Sequence, residues 1–279
     1  MLIAVCCDRG APGSSTTTLA LGVSTPEPTI VVEADPYGGD LALRCVAPGG
    51  HGDAFPPTPT VLTLATEART SVTPGLAASK AHEFTGSTRI VPGHFSAEQA
   101  AGVKNWAPLA EALRASASRV VADLGRIHSS SPTIPVAAAA DVVVMVTRPE
   151  VGAVMHLKDR LERLAPVLAN IRNAPPIVVP AVVTPKRIAG SVLEQVGRML
   201  APSNAAGVIA GIGWIALDPT GVEAMHAGQV GGKKNARTPL LKSAGVLNDQ
   251  INQAAGVGPY DAHEGAAVDA YAGQGGETR

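Results

Sequence analysis

The chain has 279 residues, of which 46% are hydrophobic and only 3% aromatic, and its formal net charge at pH 7 is -1. This length fits one large domain or two small ones, with a core of Val, Leu, Ile and Ala that is typical of buried parallel strands packed by helices. The near-zero charge excludes a whole-molecule attraction to nucleic acid or to acidic membranes.

Three cysteines, Cys6, Cys7 and Cys45, make neither a disulfide framework nor a zinc site, and we expect them to be small buried hydrophobic residues. The N-terminal apolar run passes directly into Asp8 and Arg9 and is too short for a signal peptide. No uninterrupted apolar run reaches the roughly 20 residues that span a bilayer. These features predict a cytoplasmic protein.

The first predicted elements are a strand over Leu2–Cys6, a loop rich in glycine and hydroxyl residues, and a helix that contains the aliphatic run Leu19–Val23. In this setting, backbone N–H groups and a helix N-terminus bind phosphate. From Gly10 to Ser15 the loop fits the pattern Gly-x4-Gly-Lys-Ser/Thr, except that one glycine is shifted and Ser14 replaces the lysine. The sequence predicts nucleotide binding more firmly than nucleotide hydrolysis, and a purely structural turn is the alternative.

Carboxylates follow two further predicted strands. The strand Thr29–Glu33 leads into a turn that contains Asp35 and Asp40, and the strand Arg119–Asp123 ends in a carboxylate of its own. Because ligands bind outside the carboxyl ends of strands in open α/β sheets, Asp35 and Asp123 are candidates for a shared site. Asp35 and Asp40 could equally be turn and helix-cap residues, since Asp is favoured in both places.

The rest of the chain continues the alternation of strands and helices. A loop is predicted at Ala47–Pro59, no assignment is made for residues 61–80, and Ser96 with Gln99 predicts a capping box that opens an Ala-rich helix. Further elements are predicted as strands at Ser87–Pro92, Asp141–Thr147, Pro176–Val183 and Val208–Leu217, and as helices at Val151–Leu168, Ser191–Leu200 and Leu240–Ile251.

This alternation predicts an α/β fold with a doubly wound, mostly parallel sheet flanked by helices. We expect a single domain over residues 1–254. Residues 255–279 are rich in Gly and Ala with scattered acids, and they are predicted to form a disordered tail.

Five segments, in order, resemble the motifs of ParA/MinD-type P-loop ATPases over nearly all of the predicted domain. Arg9–Thr16 resembles the deviant phosphate loop, commonly Lys-Gly-Gly-x-Gly-Lys-Thr-Thr/Ser, and Glu33–Asp40 resembles the first switch, a strand ending Asp-x-Asp-Pro. Val120–Gly125 is similar to the Walker B strand and second switch, Ala140–Glu150 to the following strand, and Ile215–Pro219 to a Pro/Asp loop beside the base. The resemblance implies the P-loop NTPase architecture.

The resemblance also implies a phosphate and metal site. The residues that would bind the phosphates are Gly10, Gly13, Ser14 and Thr16. Ser15 would be the hydroxyl that ligates Mg²⁺, and Asp123 would hold the ion through water. The implied cofactor is ATP or ADP with Mg²⁺.

The remaining implied roles are catalysis, dimerisation and base binding. Asp35 would orient the attacking water. Arg9 stands at the position of the family's signature lysine, which reaches across a nucleotide-sandwich dimer, and arginine keeps that charge and can bind phosphate bidentately. Asp218 and Pro219 would lie beside the base.

The chain departs from the family pattern at three positions. Ser14 replaces the lysine that neutralises the β- and γ-phosphates, and the loss of a charge-assisted hydrogen bond should weaken binding by at least about tenfold. Hydrolysis should suffer more, because phosphoryl transfer depends mainly on electrostatics. Glu33 replaces the first switch aspartate, and Ala11 replaces a loop glycine.

Partners are indicated less strongly. The basic cluster Gly231–Arg237, with Lys242 beyond it, is interpreted as a solvated loop or as a weak, non-specific DNA contact. The acids of the tail, against a single Arg279, oppose the membrane anchor that MinD-like members carry. A homodimer and an unidentified protein partner are expected.

The resemblance therefore implies a positioning, partition or machinery-assembly factor, of the kind that includes the TadZ/CpaE type, with weak or absent ATP hydrolysis. A nucleotide-independent pseudo-ATPase scaffold that dimerises and recruits a partner is the first alternative. A small-molecule enzyme of the same fold, such as a synthetase of the dethiobiotin kind, is the second.

Overall fold

The computed structural model describes residues 1–10, 12–48, 55–230 and 238–257. The strands within these residues are β1 (Leu2–Cys7), β2 (Thr29–Glu33), β3 (His82–Thr85), β4 (Thr88–Val91), β5 (Arg119–Arg126), β6 (Val142–Thr147), β7 (Val178–Thr184) and β8 (Gly213–Ala216). They form one sheet in the order β3-β4-β2-β5-β1-β6-β7-β8, in which β3 is antiparallel to β4 and the other neighbours are parallel. The predicted α/β fold with a mostly parallel sheet is confirmed.

Helices cover both faces of this sheet. They are α1 (Ser14–Val23), α2 (Leu41–Arg44), α3 (Val61–Ala68), α4 (Leu76–Ser79), α5 (Ala97–Ala100), α6 (Ala107–Arg114), α7 (Ile134–Ala139), α8 (Val151–Arg172), α9 (Ala189–Leu200), α10 (Pro219–His226) and α11 (Pro239–Ala254). Helices α1, α10 and α11 contribute to one core, and α3, α6, α7, α8 and α9 contribute to the other. None of the helices described is long and apolar enough to cross a membrane.

The central strands are aliphatic because both of their faces are covered. Every residue of β1, β2 and β6 is buried. Along β1 the side chains alternate, so that Leu2, Ala4 and Cys6 enter one core while Ile3 and Val5 enter the other. All three cysteines are free and buried, as expected.

A topological switch point lies between β1 and β6. Helix α1, which follows β1, packs into one core, and α8, which follows β6, packs into the opposite core. Loops that leave neighbouring strands toward opposite faces open a crevice at the carboxyl ends of those strands. The register pairs Val5 of β1 with Asp123, and Asp123 with Glu33 of β2, so two acids lie side by side near the carboxyl end of β1.

The predicted capping box at Ser96 is wrong. Ser96 makes no side-chain cap hydrogen bond, and Oε1 of Gln99 accepts the N–H of Phe95 at 2.9 Å. The helix that opens there, α5, is only four residues long. The chain passes through Gly102, a poor helix former, and Pro108 then occupies the first turn of a separate helix, α6, where proline is tolerated.

Other boundaries also differ from the sequence predictions. The last strand spans four residues, Gly213–Ala216, because Ala206–Val208 forms a 3-10 turn and Gly211 has a positive φ of 126°. The unassigned region 61–80 contains α3 and α4, and Thr60 and Thr63 form a capping box at the start of α3. The basic cluster at 231–237 and the predicted tail from residue 258 onward lie outside the described residues.

Candidate functional site

The phosphate loop connects β1 directly to α1. Gly13 is the N-cap of α1 and has a φ of 105°, a left-handed conformation that suits glycine and leaves no side chain to cap the helix. The first helical hydrogen bond runs from the N–H of Thr17 to the carbonyl of Gly13 at 2.8 Å. The N–H groups of Ser14, Ser15 and Thr16 precede that bond, and the helix has no side-chain cap among the residues described. This geometry suits an anion at the start of α1.

The hydroxyl residues of the loop point in different directions. Ser14 is 9% exposed, and its Oγ lies 4.0 Å from Sγ of Cys7, so its side chain faces inward and brings no charge to the loop. Ser15 is half-buried and interacts with the Asp123 carboxyl group, whose pKa it lowers. Thr16 is half-buried in the same first turn. Ser15 therefore joins the loop to Asp123.

Asp123 is fully buried and only half hydrogen-bonded. Its Oδ1 accepts the N–H of Gly125 at 3.0 Å, whereas Oδ2 makes no hydrogen bond of ordinary geometry with any residue described. Burial raises the pKa of Asp123 to about 6, the Ser15 hydroxyl and the Gly125 N–H oppose that rise, and Asp35 adds to it. A buried polar atom without a protein partner has the capacity to bind an ion or an ordered water molecule. The oxygen donors of Ser15 and Asp123 fit Mg²⁺, which prefers oxygen ligands.

Asp35 is brought next to Asp123 through Gly125. Its Oδ1 accepts the N–H of Tyr37 at 2.9 Å, and a Cβ at Gly125 would overlap the Asp35 carboxylate. Burial raises the pKa of Asp35 to about 6; the Tyr37 N–H lowers it, and the nearby Glu33 raises it. The structure thus places both predicted acids and Ser15 at one edge of the sheet.

Gly125 makes this contact because β5 carries a bulge. Val5 pairs with Asp123 and Cys7 pairs with Arg126, so β5 has one residue more than β1 between these pairs. Gly125, with a φ of 58°, lies within the bulge. Bulges beside functional sites re-aim side chains. Here the bulge opens space for Asp35 and sets the direction of Arg126.

Glu33, which replaces a switch aspartate, is a structural residue here. Oε1 accepts the N–H groups of Asp40 at 2.8 Å and Leu41 at 3.1 Å, and Oε2 accepts the N–H of Gly93 at 2.8 Å. Burial raises its pKa to about 7 despite these three hydrogen bonds, which lower it. A Cβ at Gly39 or Gly93 would overlap the carboxyl group. Glu33 therefore fastens the Asp35 turn and the exit of β4 to the end of β2.

Two other predicted carboxylates have local partners. Asp40 precedes α2 without a side-chain cap bond and forms an exposed ion pair with Arg44. Asp218 caps α10: its Oδ1 accepts the N–H of Gly221 at 3.1 Å, and its Oδ2 accepts the N–H of Leu240 at 3.2 Å. Pro219 occupies the first turn of the same helix. Since β8 lies three strands from β1, these residues stand about 14 Å along the sheet edge from the phosphate loop. A base-binding role for them stays a prediction.

A basic cleft opens beside the loop. Arg9 has a side chain that is 70% exposed, and its Nε lies 3.8 Å from Oδ2 of the buried Asp8, whose Oδ1 accepts Nε of Arg160 at 2.5 Å. The cleft measures about 410 Å³ and is lined by Asp8, Arg9, Gly10, Arg126, His128 and Arg160. Sequence reasoning named Arg9 and Gly10 but missed the others. Arg126 had a usable signal, since it directly follows the second switch segment; Arg160 is one of many charges on α8 and had none.

Comparisons with known proteins show the fold. No protein-family model matches the sequence, and no curated protein matches it. A ParA family ATPase from Chlorobium tepidum matches with a TM-score of 0.65 at 12% identity, over 88% of this chain and 98% of that one. The Pyrococcus furiosus cell division ATPase MinD matches with a TM-score of 0.61 at 14% identity, over 90% and 98%. A Cyanothece McdA variant in complex with ATP matches with a TM-score of 0.59 at 15% identity, over 93% and 98%.

The matches cover 88% to 93% of this chain and 98% of each of these structures. At such low identity the likeness concerns architecture alone. The chain therefore has the fold of the ParA and MinD P-loop ATPases.

Proposed function

We propose that this chain binds ATP or ADP with Mg²⁺ and acts as a ParA/MinD-like positioning, partition or machinery-assembly factor with weak or absent hydrolysis. The observation that carries the binding claim is the unpartnered, fully buried Oδ2 of Asp123, next to Ser15 at the start of α1. A carboxylate is costly to bury without a partner, and a bound cation would supply one.

Different groups at the loop would bind the phosphates and the metal ion. Backbone N–H groups at Gly13, Ser14, Ser15 and Thr16 would bind phosphate oxygens at the positive end of α1. The Ser15 hydroxyl and Oδ2 of Asp123 would hold Mg²⁺, directly or through water. The ion, when bound, neutralises phosphate charge.

Weak hydrolysis follows from what surrounds the phosphate. Asp35 is ionised above pH 6, because its raised pKa is about 6, and a carboxylate at this point can accept a hydrogen bond from a water molecule. Ser14, however, faces Cys7 and supplies no charge to the developing transition state. Phosphoryl transfer depends on such charge, so the acid is in place while the usual cation is not.

The biological role is supported by proteins of the same fold. They include a septum site-determining MinD from Pyrococcus horikoshii complexed with Mg-ADP, a MinC:MinD complex from Aquifex aeolicus and a Borrelia burgdorferi plasmid partition protein bound to AMPPNP. From the family resemblance we further propose a homodimer in which the exposed Arg9 reaches the nucleotide of the second copy, and an unidentified protein partner. A cytoplasmic location, a TadZ/CpaE-like subtype and a weak DNA contact belong to the same proposal.

A nucleotide-independent scaffold is the second candidate. It is favoured by the neutral, inward-facing Ser14 and by the pairing of Asp8 with Arg160, which uses one cation of the cleft inside the protein. Such a protein would dimerise and recruit its partner without ligand.

Thermal unfolding with ATP-Mg²⁺ and ADP-Mg²⁺ separates the two candidates. A ligand at about 100 times its Kd stabilises a protein by about 2.7 kcal/mol. We expect the wild type to be stabilised by millimolar nucleotide, Ser14→Lys to bind at least about tenfold more tightly, and Asp123→Asn to lose the Mg²⁺-dependent part.

Ser71→Lys is the matched control, since Ser71 is exposed beyond α3 and the change adds the same charge far from the loop. Its nucleotide affinity should equal that of the wild type. An absent shift at millimolar nucleotide would favour the scaffold. Rapid phosphate release by the wild type would contradict weak hydrolysis.

A further inference from the structure

The basic cleft carries more positive charge than its single acid balances. Three arginines, Arg9, Arg126 and Arg160, line the cleft together with Asp8 and with Gly10 of the phosphate loop. Excess positive charge in a concave surface attracts anions and concentrates them there. The cleft adjoins the loop, so the anion that it would meet first is the one bound at the start of α1.

The three arginines are not equally available. Nε of Arg160 donates to Asp8 at 2.5 Å, and Nε of Arg9 lies 3.8 Å from the other oxygen of the same carboxylate. Arg126 is exposed and forms no ion pair or side-chain hydrogen bond with any residue that the structure describes. Of the three groups, Arg126 is therefore the one that no acid among the described residues holds.

The bulge in β5 places Arg126 near both the phosphate loop and Asp35. Arg126 is level with Cys7, the last residue of β1, where the phosphate loop begins. Its positive charge lowers the pKa of Cys7 on that side and the pKa of Asp35 on the other. A group that acts on both residues lies between the loop and the acid that would orient the attacking water.

We propose that Arg126 binds the terminal phosphate of ATP and supplies the positive charge that Ser14 does not. The guanidinium is always charged and matches phosphate oxygens with two parallel N–H donors. This inference rests on the proposed nucleotide site. It assigns the compensating cation to the end of β5 rather than to the first turn of α1.

Calorimetric titration of the full chain with ATP-Mg²⁺ and ADP-Mg²⁺ tests the proposal. Arg126→Ala should weaken ATP binding at least about tenfold, the size of one charge-assisted hydrogen bond, and should change ADP binding less than about twofold. Arg126→Lys should keep part of the ATP affinity, because it retains the charge without the paired donors. Adding Ser14→Lys to Arg126→Ala should restore the preference for ATP.

Arg163→Ala is the matched control, since Arg163 is an exposed arginine of α8 that pairs with Asp159 rather than with the cleft. It should leave both affinities unchanged, and each variant should melt at the wild-type temperature without ligand. If the wild type binds neither nucleotide, the proposed function fails and this inference fails with it. If the wild type binds ATP and Arg126→Ala binds it equally well, or loses ATP and ADP affinity alike, the inference alone is overturned.

Discussion

Two buried acids at the ends of adjacent strands behave differently. Glu33 of β2 and Asp123 of β5 are direct register partners, at 2% and 0% exposure. Burial is the main cause of a raised pKa in both, to about 7 and about 6. Yet Glu33 accepts three backbone N–H groups, while Asp123 accepts one and keeps Oδ2 unpartnered among the residues described.

The difference shows that hydrogen-bond saturation, rather than burial, separates the structural acid from the functional one. A carboxyl group whose oxygens all accept protein hydrogen bonds stabilises the fold, and its removal leaves those N–H donors without an acceptor. A buried carboxyl group with one free oxygen is already desolvated and can still bind a ligand. Substitutions at Glu33, at Asp123, or at Gly125, which lies against Asp35, test this difference.

Removing the saturated acid should have the largest effect on stability. Glu33→Ala leaves the N–H groups of Asp40, Leu41 and Gly93 buried without their acceptor, and we expect a loss of about 4 kcal/mol in the free energy of unfolding. Glu33→Gln keeps one acceptor oxygen and should lose less. Urea denaturation of the ligand-free protein measures both.

Glu111→Ala provides the comparison for Glu33→Ala, because Glu111 is exposed on α6. It should change the free energy of unfolding by less than about 0.5 kcal/mol. A loss at Glu33 as small as that at Glu111 would mean that the three hydrogen bonds do not hold the Asp35 turn.

The sequence was sufficient for the parts of this site that depend on local patterns. Apolar runs that pass into polar residues located β1, β2, β5 and β6, and parallel pairing then brings the ends of these strands to one edge. The start of α1 and the positions of Asp35 and Asp123 follow from that rule alone.

What the sequence could not show depends on register and on distant partners. The direction of Arg126 is set by a bulge, which exists only relative to β1. The roles of Glu33 and Asp218 depend on N–H groups of Gly93 and Leu240, which are 60 and 22 residues away along the chain. No periodicity or composition signal reports such pairings, so a capping acid and a ligand-binding acid look alike in the sequence.

The joint between the two acid-bearing strands can be tested at Gly125. A side chain there must adopt a φ of 58° and would overlap the Asp35 carboxylate, so Gly125→Ala should cost about 3 kcal/mol. Gly86 has a φ of 57° with open space around it, and Gly86→Ala therefore measures the backbone cost alone. Thermal unfolding measures both losses of stability, and the additional loss for Gly125→Ala is the energetic cost of the overlap with Asp35. Equal losses at the two glycines would show that Asp35 does not rest against β5.

The pH dependence of the free energy of unfolding should also distinguish Asp123 from Glu33, with a smaller effect than the two substitutions above. The folded pKa of Asp123, about 6, lies above the roughly 3.9 of an unfolded Asp, so the neutral acid is favoured by folding. The stabilisation that the neutral Asp123 gives the folded state is therefore fully present below about pH 4, declines as pH rises toward 6, and is lost above that value. Asp123→Asn stays neutral at every pH, so its stability relative to the ligand-free wild type should rise by about 2 kcal/mol between pH 4 and pH 7.5. Urea denaturation across this range measures the difference, with Asp159→Asn, at an exposed ion pair, as the control. A flat difference would mean that Oδ2 of Asp123 already has a partner, and the distinction from Glu33 would disappear.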